Sequence, residues 1–210
     1  MSIHHTETEQ VEMIKAWFKK YGYWLSFAFL AIILGMVGYR LWDHHVIKIN
    51  SQASERYQQL MLGIANDDDS MVNAQANDLM AHYPKTIYAQ AASLAQAKLS
   101  VSQKNYTLAL SQLHYAMTEG KNPALQQIAR LRSARILIIQ KKYTPALNLL
   151  TTVNDIAYLP AINETKGDIY LASGNNKKAR MYYQKALKGF SKVGLHSPFL
   201  TMKLNNITEE

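Results

Sequence analysis

Apolar residues follow two rhythms along this chain. Residues 21–39 (YGYWLSFAFLAIILGMVGY) form one unbroken run without a charged side chain. At about 1.5 Å per residue, a helix of that length spans roughly 28 Å, the thickness of a bilayer's hydrocarbon core. Aromatic residues bracket the run, with Tyr21, Tyr23 and Trp24 at one edge and Tyr39 and Trp42 at the other. Such rings favour the headgroup region. The sequence after the run, Tyr39-Arg40-Leu41-Trp42, lacks the small residues of a signal-peptidase site, so the segment reads as an uncleaved anchor. This divides the N-terminal part into a tail (1–20) and a transmembrane helix (21–42). Within the helix Phe29 and Leu34 face lipid or a partner, and Gly35 and Gly38 are places where a second helix could approach closely. In the tail, Thr6 and Glu9 fit a capping box. Val11, Ile14, Phe18 and Tyr21 recur at helical spacing, so the helix starts before the bilayer.

The second rhythm is a repeat. In ETKGDIYLASGNNKKARMYYQKAL, Gly167, Ala179 and Ala186 are small residues where helices meet, and Gly174 ends a helix. This spacing resembles the tetratricopeptide repeat. The same frame falls on Ala134, Ala146 and Val153, then on Ala97, Ala109 and Ala116, and then on Leu62, Ala74 and Ala81. Four helix-turn-helix units follow, at 46–83, 86–119, 124–156 and 160–192; the third lacks the turn glycine. One unit cannot bury its own apolar face, whereas stacked units make a continuous core. The expected fold is therefore all-α: a single N-terminal transmembrane helix followed by a tetratricopeptide-like α-solenoid over 43–195. Residues 196–210 supply a cap and tail. Helical periodicity through Val46, Ile49, Ala53, Tyr57, Leu60 and Ile64 predicts a stiff helical junction in place of a loose tether.

Composition removes several functions. Cysteine is absent, which excludes disulfides, thiolate metal sites and cysteine catalysis. Residues 43–210 carry nineteen Lys/Arg against twelve Asp/Glu, and seven of the cations lie between Lys166 and Lys192. A basic face can meet nucleic acid, anionic lipid or an acidic partner, and a solvated helix face is the commoner cause. No nucleic-acid recognition motif accompanies it. His4-His5 and His44-His45 are adjacent pairs whose side chains diverge by about 100° on a helix, a poor chelate. Asp67-Asp68-Asp69 lacks the alternation and distal Glu of a calcium loop, and suits the positive end of a helix starting near Ser70. With no phosphate loop and no nucleophile elbow, the reading is a non-enzymatic protein without metal or cofactor.

The positive expectation is binding. Stacked repeats line a concave face with the first helix of each unit. Positions at i, i+4 and i+7 on those helices are Leu94, Lys98 and Val101, then Leu131, Arg135 and Ile138, then Glu164, Asp168 and Leu171. Apolar residues interleaved with two cations and two acids suit an extended peptide or a helix.

The charge pattern leaves topology nearly tied. Lys15, Lys19 and Lys20 precede the run, and Arg40, Lys48 and Arg56 follow it; the adjacent Lys19-Lys20 pair tilts the N-terminus inward. The approach to the membrane (Glu12, Lys15, Trp17, Phe18) and the exit (Tyr39, Trp42), joined to the repeats, resemble the YfgM family of Gram-negative bacteria over nearly the whole chain. The resemblance implies an ancillary subunit of the SecYEG translocon in the inner membrane, with a cytoplasmic N-terminus and a periplasmic repeat domain. It implies association with a membrane-anchored periplasmic chaperone of the prolyl-isomerase type and help in handing over translocated proteins. It also implies a link from the tail to a cytoplasmic response regulator. The expected surroundings are lipid bilayer and protein, not nucleic acid. The alternative is a membrane-tethered repeat scaffold for another envelope or cytochrome assembly complex.

Overall fold

A computed structural model describes residues 7–151 and 156–207, with side chains from residue 11 onward. Val153, the Thr6–Glu9 capping box and the His4-His5 pair lie outside what is described. Among the described residues there are helices and no strands, as the sequence predicts. They are α1 (Glu7–Ala65), α2 (Asp69–His82), α3 (Ile87–Ser102), α4 (Tyr106–Thr118), α5 (Pro123–Ile139), α6 (Tyr143–Leu149), α7 (Leu159–Ala172), α8 (Asn176–Lys192) and α9 (Pro198–Asn205). A short 3-10 turn, Ile156–Tyr158, precedes α7.

The chain forms two compact units, Met1–Ser51 and Gln52–Glu210. In the first, α1 carries a stretch long and apolar enough to cross a membrane, with none of it buried in protein. Trp24, Phe29, Leu34, Tyr39 and Trp42 are all exposed on it.

The second unit is a stack of antiparallel helix pairs: the end of α1 with α2, α3 with α4, α5 with α6, and α7 with α8. Each pair turns on the same device. A residue with left-handed backbone follows the first helix: Asp67 (φ 53°), Lys104 (φ 59°), Lys141 (φ 58°) and Gly174 (φ 81°). The next amide then reaches back five residues to a helix carbonyl, at 2.8 Å in every unit: Asp68 to Gly63, Asn105 to Ser100, Lys142 to Leu137 and Asn175 to Tyr170. This satisfies carbonyls that the helix end leaves open. In three units the same residue caps the second helix with its side-chain oxygen: Asp68 accepts from Met71 N–H, Asn105 from Leu108 and Asn175 from Lys178. Lys142 has no side chain able to do so. Thus Asp67-Asp68-Asp69 is turn and cap, and the missing glycine of the third unit is replaced by a strained lysine.

These turns also correct the register of the first unit. They recur at intervals of 37, 37 and 33 residues, so the positions equivalent to Ala97, Ala109 and Ala116 are Leu60, Val72 and Leu79. All three are buried, whereas Leu62, Ala74 and Ala81 are exposed. Larger residues fill this seam, which hid it from a search for small ones. Elsewhere the small seam holds: Ala97, Ala109, Ala116, Ala134, Ala146, Ala179 and Ala186 are all buried.

One polar side chain is central to the stack. Gln90 is completely buried on α3. Its amide donates to the carbonyls of Ala116 (2.8 Å) and Asn122 (3.2 Å) and accepts from the Asn122 N–H (3.1 Å). It thereby ties the last turn of α4 to the loop between the second and third units and pairs the partly buried backbone of Asn122.

Helix α9 closes the C-terminal end. Leu200 and Ile207 join Ala179, Tyr183 and Ala186 in a final apolar cluster. Lys203 Nζ reaches Glu164 Oε1 at 3.1 Å and Asp168 Oδ1 at 2.8 Å, and Arg180 donates to the carbonyl of Ile207 at 2.9 Å.

Candidate binding groove

The groove lies where α3 and α5 face each other across the top of α4. Ala97, Lys98 and Val101 supply one wall, Arg132, Arg135, Ile136 and Ile139 the other, and Leu113 of α4 the floor, around a depression of about 360 Å³. Its surface is mostly apolar, and its cations stand at the rim. The local cause is the helical period: residues 132, 135, 136 and 139 share one stripe of α5, and 97, 98 and 101 share one of α3. A second depression, of about 200 Å³, lies between α3 and the α1–α2 turn. Lys98 lines both; Asp67 and Asp69 line the second alone.

Of the nine residues expected to point inward, Lys98, Val101 and Arg135 come together in the larger depression. Leu94 and Leu131 occupy matching places in their units and are buried in two core clusters. Ile138 is half-buried against the cluster of Leu131. Glu164 and Asp168 lie beneath Lys203, and Tyr183 donates its hydroxyl to Asp168 at 2.8 Å. Leu171 is exposed. The residues missed from sequence are Arg132, Ile136 and Ile139. Spacing finds a stripe on a helix but not which stripe its neighbours cover. No signal in the sequence marked them: Leu131 is buried in the core, which on α5 leaves 132, 135, 136 and 139 as the open stripe.

Electrostatics set Arg132 apart. Its Nη1 donates to the Leu94 carbonyl across the groove at 3.3 Å. Burial first, and then the neighbouring Arg135 charge, lower its pKa from the usual guanidinium value. Arginine stays protonated regardless, so the direction reflects a cation partly withdrawn from water beside a second cation. At the other end of the stack, burial and then the hydrogen bond to Asp168 push the Tyr183 phenol far up. Two lysines beside the stacked rings of Tyr170 and Tyr182 (5.3 Å, 11°) use aromatic faces: Lys178 lies 5.1 Å from the Tyr170 ring and Lys185 5.1 Å from that of Tyr182. Part of the basic 166–192 face is thus aromatic-supported.

On the anchor, a Cβ added at Gly35 or Gly38 would meet nothing within 4 Å. That face is open to a partner helix or to lipid.

Known proteins match this chain from end to end. A protein from Aggregatibacter actinomycetemcomitans is 29% identical over 201 residues, covering 96% of this chain and 97% of its own. One from Neisseria gonorrhoeae (strain ATCC 700825 / FA 1090) is 28% identical over 208 residues, covering 99% and 100%. One from Haemophilus influenzae (strain ATCC 51907 / DSM 11121 / KW20 / Rd) is 27% identical over 205 residues, covering 96% and 97%. Each is called ancillary SecYEG translocon subunit, which bears out the resemblance carried by the membrane flanks and repeats. The profile of the tetratricopeptide repeat-like domain matches residues 15–209, so the anchor helix and the helical stack are both part of its pattern, and the chain belongs to the tetratricopeptide repeat-like domain family.

Proposed function

We propose that this protein is a non-catalytic accessory subunit of the SecYEG translocon, held in the bacterial inner membrane by residues 21–42. Its N-terminus is cytoplasmic and its repeats are periplasmic. There the groove between α3 and α5 receives polypeptide, and the repeat domain links the translocon to a membrane-anchored chaperone of the prolyl-isomerase type. The tail before the membrane is the place for a cytoplasmic response regulator to dock. The observation that carries this reading is similarity over nearly the full length, anchor included, to relatives named for the translocon. An apolar groove with a charged rim supports the binding role, since such surfaces hold extended chains by alternate side chains.

A photo-crosslinking residue at Phe29 or Leu34 tests it in cells. Both side chains are exposed on the anchor. Adducts to translocon or chaperone subunits are expected. Adducts confined to lipid and to unrelated assembly factors would favour a membrane-tethered scaffold of another complex.

A further inference from the structure

Three cations converge on an apolar depression that offers them no carboxylate. Lys98 from α3 and Arg132 and Arg135 from α5 ring the larger depression, and none of the residues described around it is acidic. Asp67 and Asp69 line the adjoining depression, which shares Lys98 with the larger one. Asp69 is already engaged by Gln103, at 3.1 Å. Arg132 is held in place by its bond to the Leu94 carbonyl, so its guanidinium is positioned before any ligand arrives. Arg135 follows at i+3 on the same stripe. An anion between the two would relieve their repulsion and gain charge-assisted hydrogen bonds, which are the stronger kind. Apolar surface on both sides (Val101, Ile136 and Ile139) would not satisfy a bare inorganic anion.

We propose that the α3–α5 groove selects an extended polypeptide segment in which an Asp or Glu is flanked by apolar side chains. The carboxylate sits between Arg132 and Arg135, and the flanking side chains bed against Val101, Ile136 and Ile139. A basic residue further along the same segment meets Asp67, so the groove reads an ordered pattern of charge. This rests on the groove being a polypeptide site and adds what kind of segment it takes.

The full-length protein in mild detergent is titrated with short fluorescent peptides of blocked termini. They are identical except for a central Asp, Asn or Lys between apolar residues. A further peptide has the central Asn and a free C-terminal carboxylate. The Asp peptide is expected to bind about tenfold tighter than the Asn peptide, as one charge-assisted contact allows. That margin should shrink as salt is raised. Arg135→Glu should abolish the margin and favour the Lys peptide, and Arg135→Gln should reduce it. Because Arg135 is exposed, both variants should keep the helical circular-dichroism spectrum of the parent. Equal affinity for the Asp and Asn peptides overturns the inference, as does a preference for the free terminal carboxylate or binding of no peptide. Translocon membership is read separately from crosslinks on the membrane helix, so either conclusion can fail alone.

Discussion

Gly167 lies directly against the ring of Tyr183, so closely that a Cβ on Gly167 would overlap Cδ1 and Cε1 of that ring. The tyrosine cannot retreat, because its ring is fully buried and its hydroxyl is bonded to Asp168 at 2.8 Å. Helix α7 and helix α8 can therefore pack this closely only while position 167 lacks a side chain. Gly167→Ala gains about 1 kcal/mol of helix propensity. It also forces an overpacking cost of about 1–3 kcal/mol. A net loss of up to about 2 kcal/mol is expected in urea unfolding of the full-length protein, and trimming the ring with Tyr183→Leu should suppress much of the added cost of the alanine. Full stability in Gly167→Ala would contradict the close approach.

Tyr183 also predicts an alkaline weakness. Its phenol is raised in the folded protein by burial and by its bond to Asp168. Since the folded value lies above the unfolded one of about 10, its contribution is complete below that pH and is lost as pH rises beyond it. Unfolding free energy should therefore fall on going from pH 9 to pH 11. Tyr183→Phe should be less stable than the parent at neutral pH, having left Asp168 short of a donor, yet show a shallower alkaline decline. Parallel declines in the two proteins would assign the effect to other groups.

The lysines in the turns carry backbone strain. Lys104 and Lys141 hold positive φ where the fourth unit has Gly174. A non-glycine residue in that conformation costs about 1–2 kcal/mol, partly offset by the greater freedom glycine brings to the unfolded chain. Lys104→Gly and Lys141→Gly should each raise stability by about 0.5–1 kcal/mol. Lys142→Asn should add about 1 kcal/mol more by supplying the side-chain cap that Asn105 and Asn175 supply in their units. Differential scanning calorimetry of the three variants checks this, and a lower melting temperature would count against the shared turn.

Gly35 and Gly38 lie three residues apart on α1, with open space where a side chain would begin. Residues three apart share a helix face, and small residues on such a face let a second helix approach closely in lipid. Replacing Gly38 by Ile should reduce co-purification of translocon subunits from mild detergent several-fold. The unfolding midpoint of the repeats should be unchanged, because a side chain at position 38 begins in open space. Undiminished co-purification would place the contact on another face.

Features that depend on local chemistry were readable directly. An uncharged run of membrane length needs no tertiary information, because the bilayer imposes its own length and polarity. Small residues at a fixed interval revealed the stacked pairs, because a close helix seam excludes bulk wherever it recurs. Register in the first unit was not readable, since Leu60, Val72 and Leu79 fill that seam with larger side chains and carry no small-residue mark. The charged residues were harder still. Lys98, Arg135, Glu164 and Asp168 all stand at inward-looking positions of first helices. Yet α9 covers the two acids with Lys203, while the cations remain on an open rim beside the unforeseen Arg132. Helical periodicity groups residues into stripes but does not say which stripe a neighbouring helix buries. That is decided by the rotation of each helix against its partners, through contacts such as Gln90 with the Ala116 carbonyl and Gly167 with Tyr183. The sequence by itself thus determined the helical class, the anchor and the repeat; packing alone decided which charges stay on an open surface.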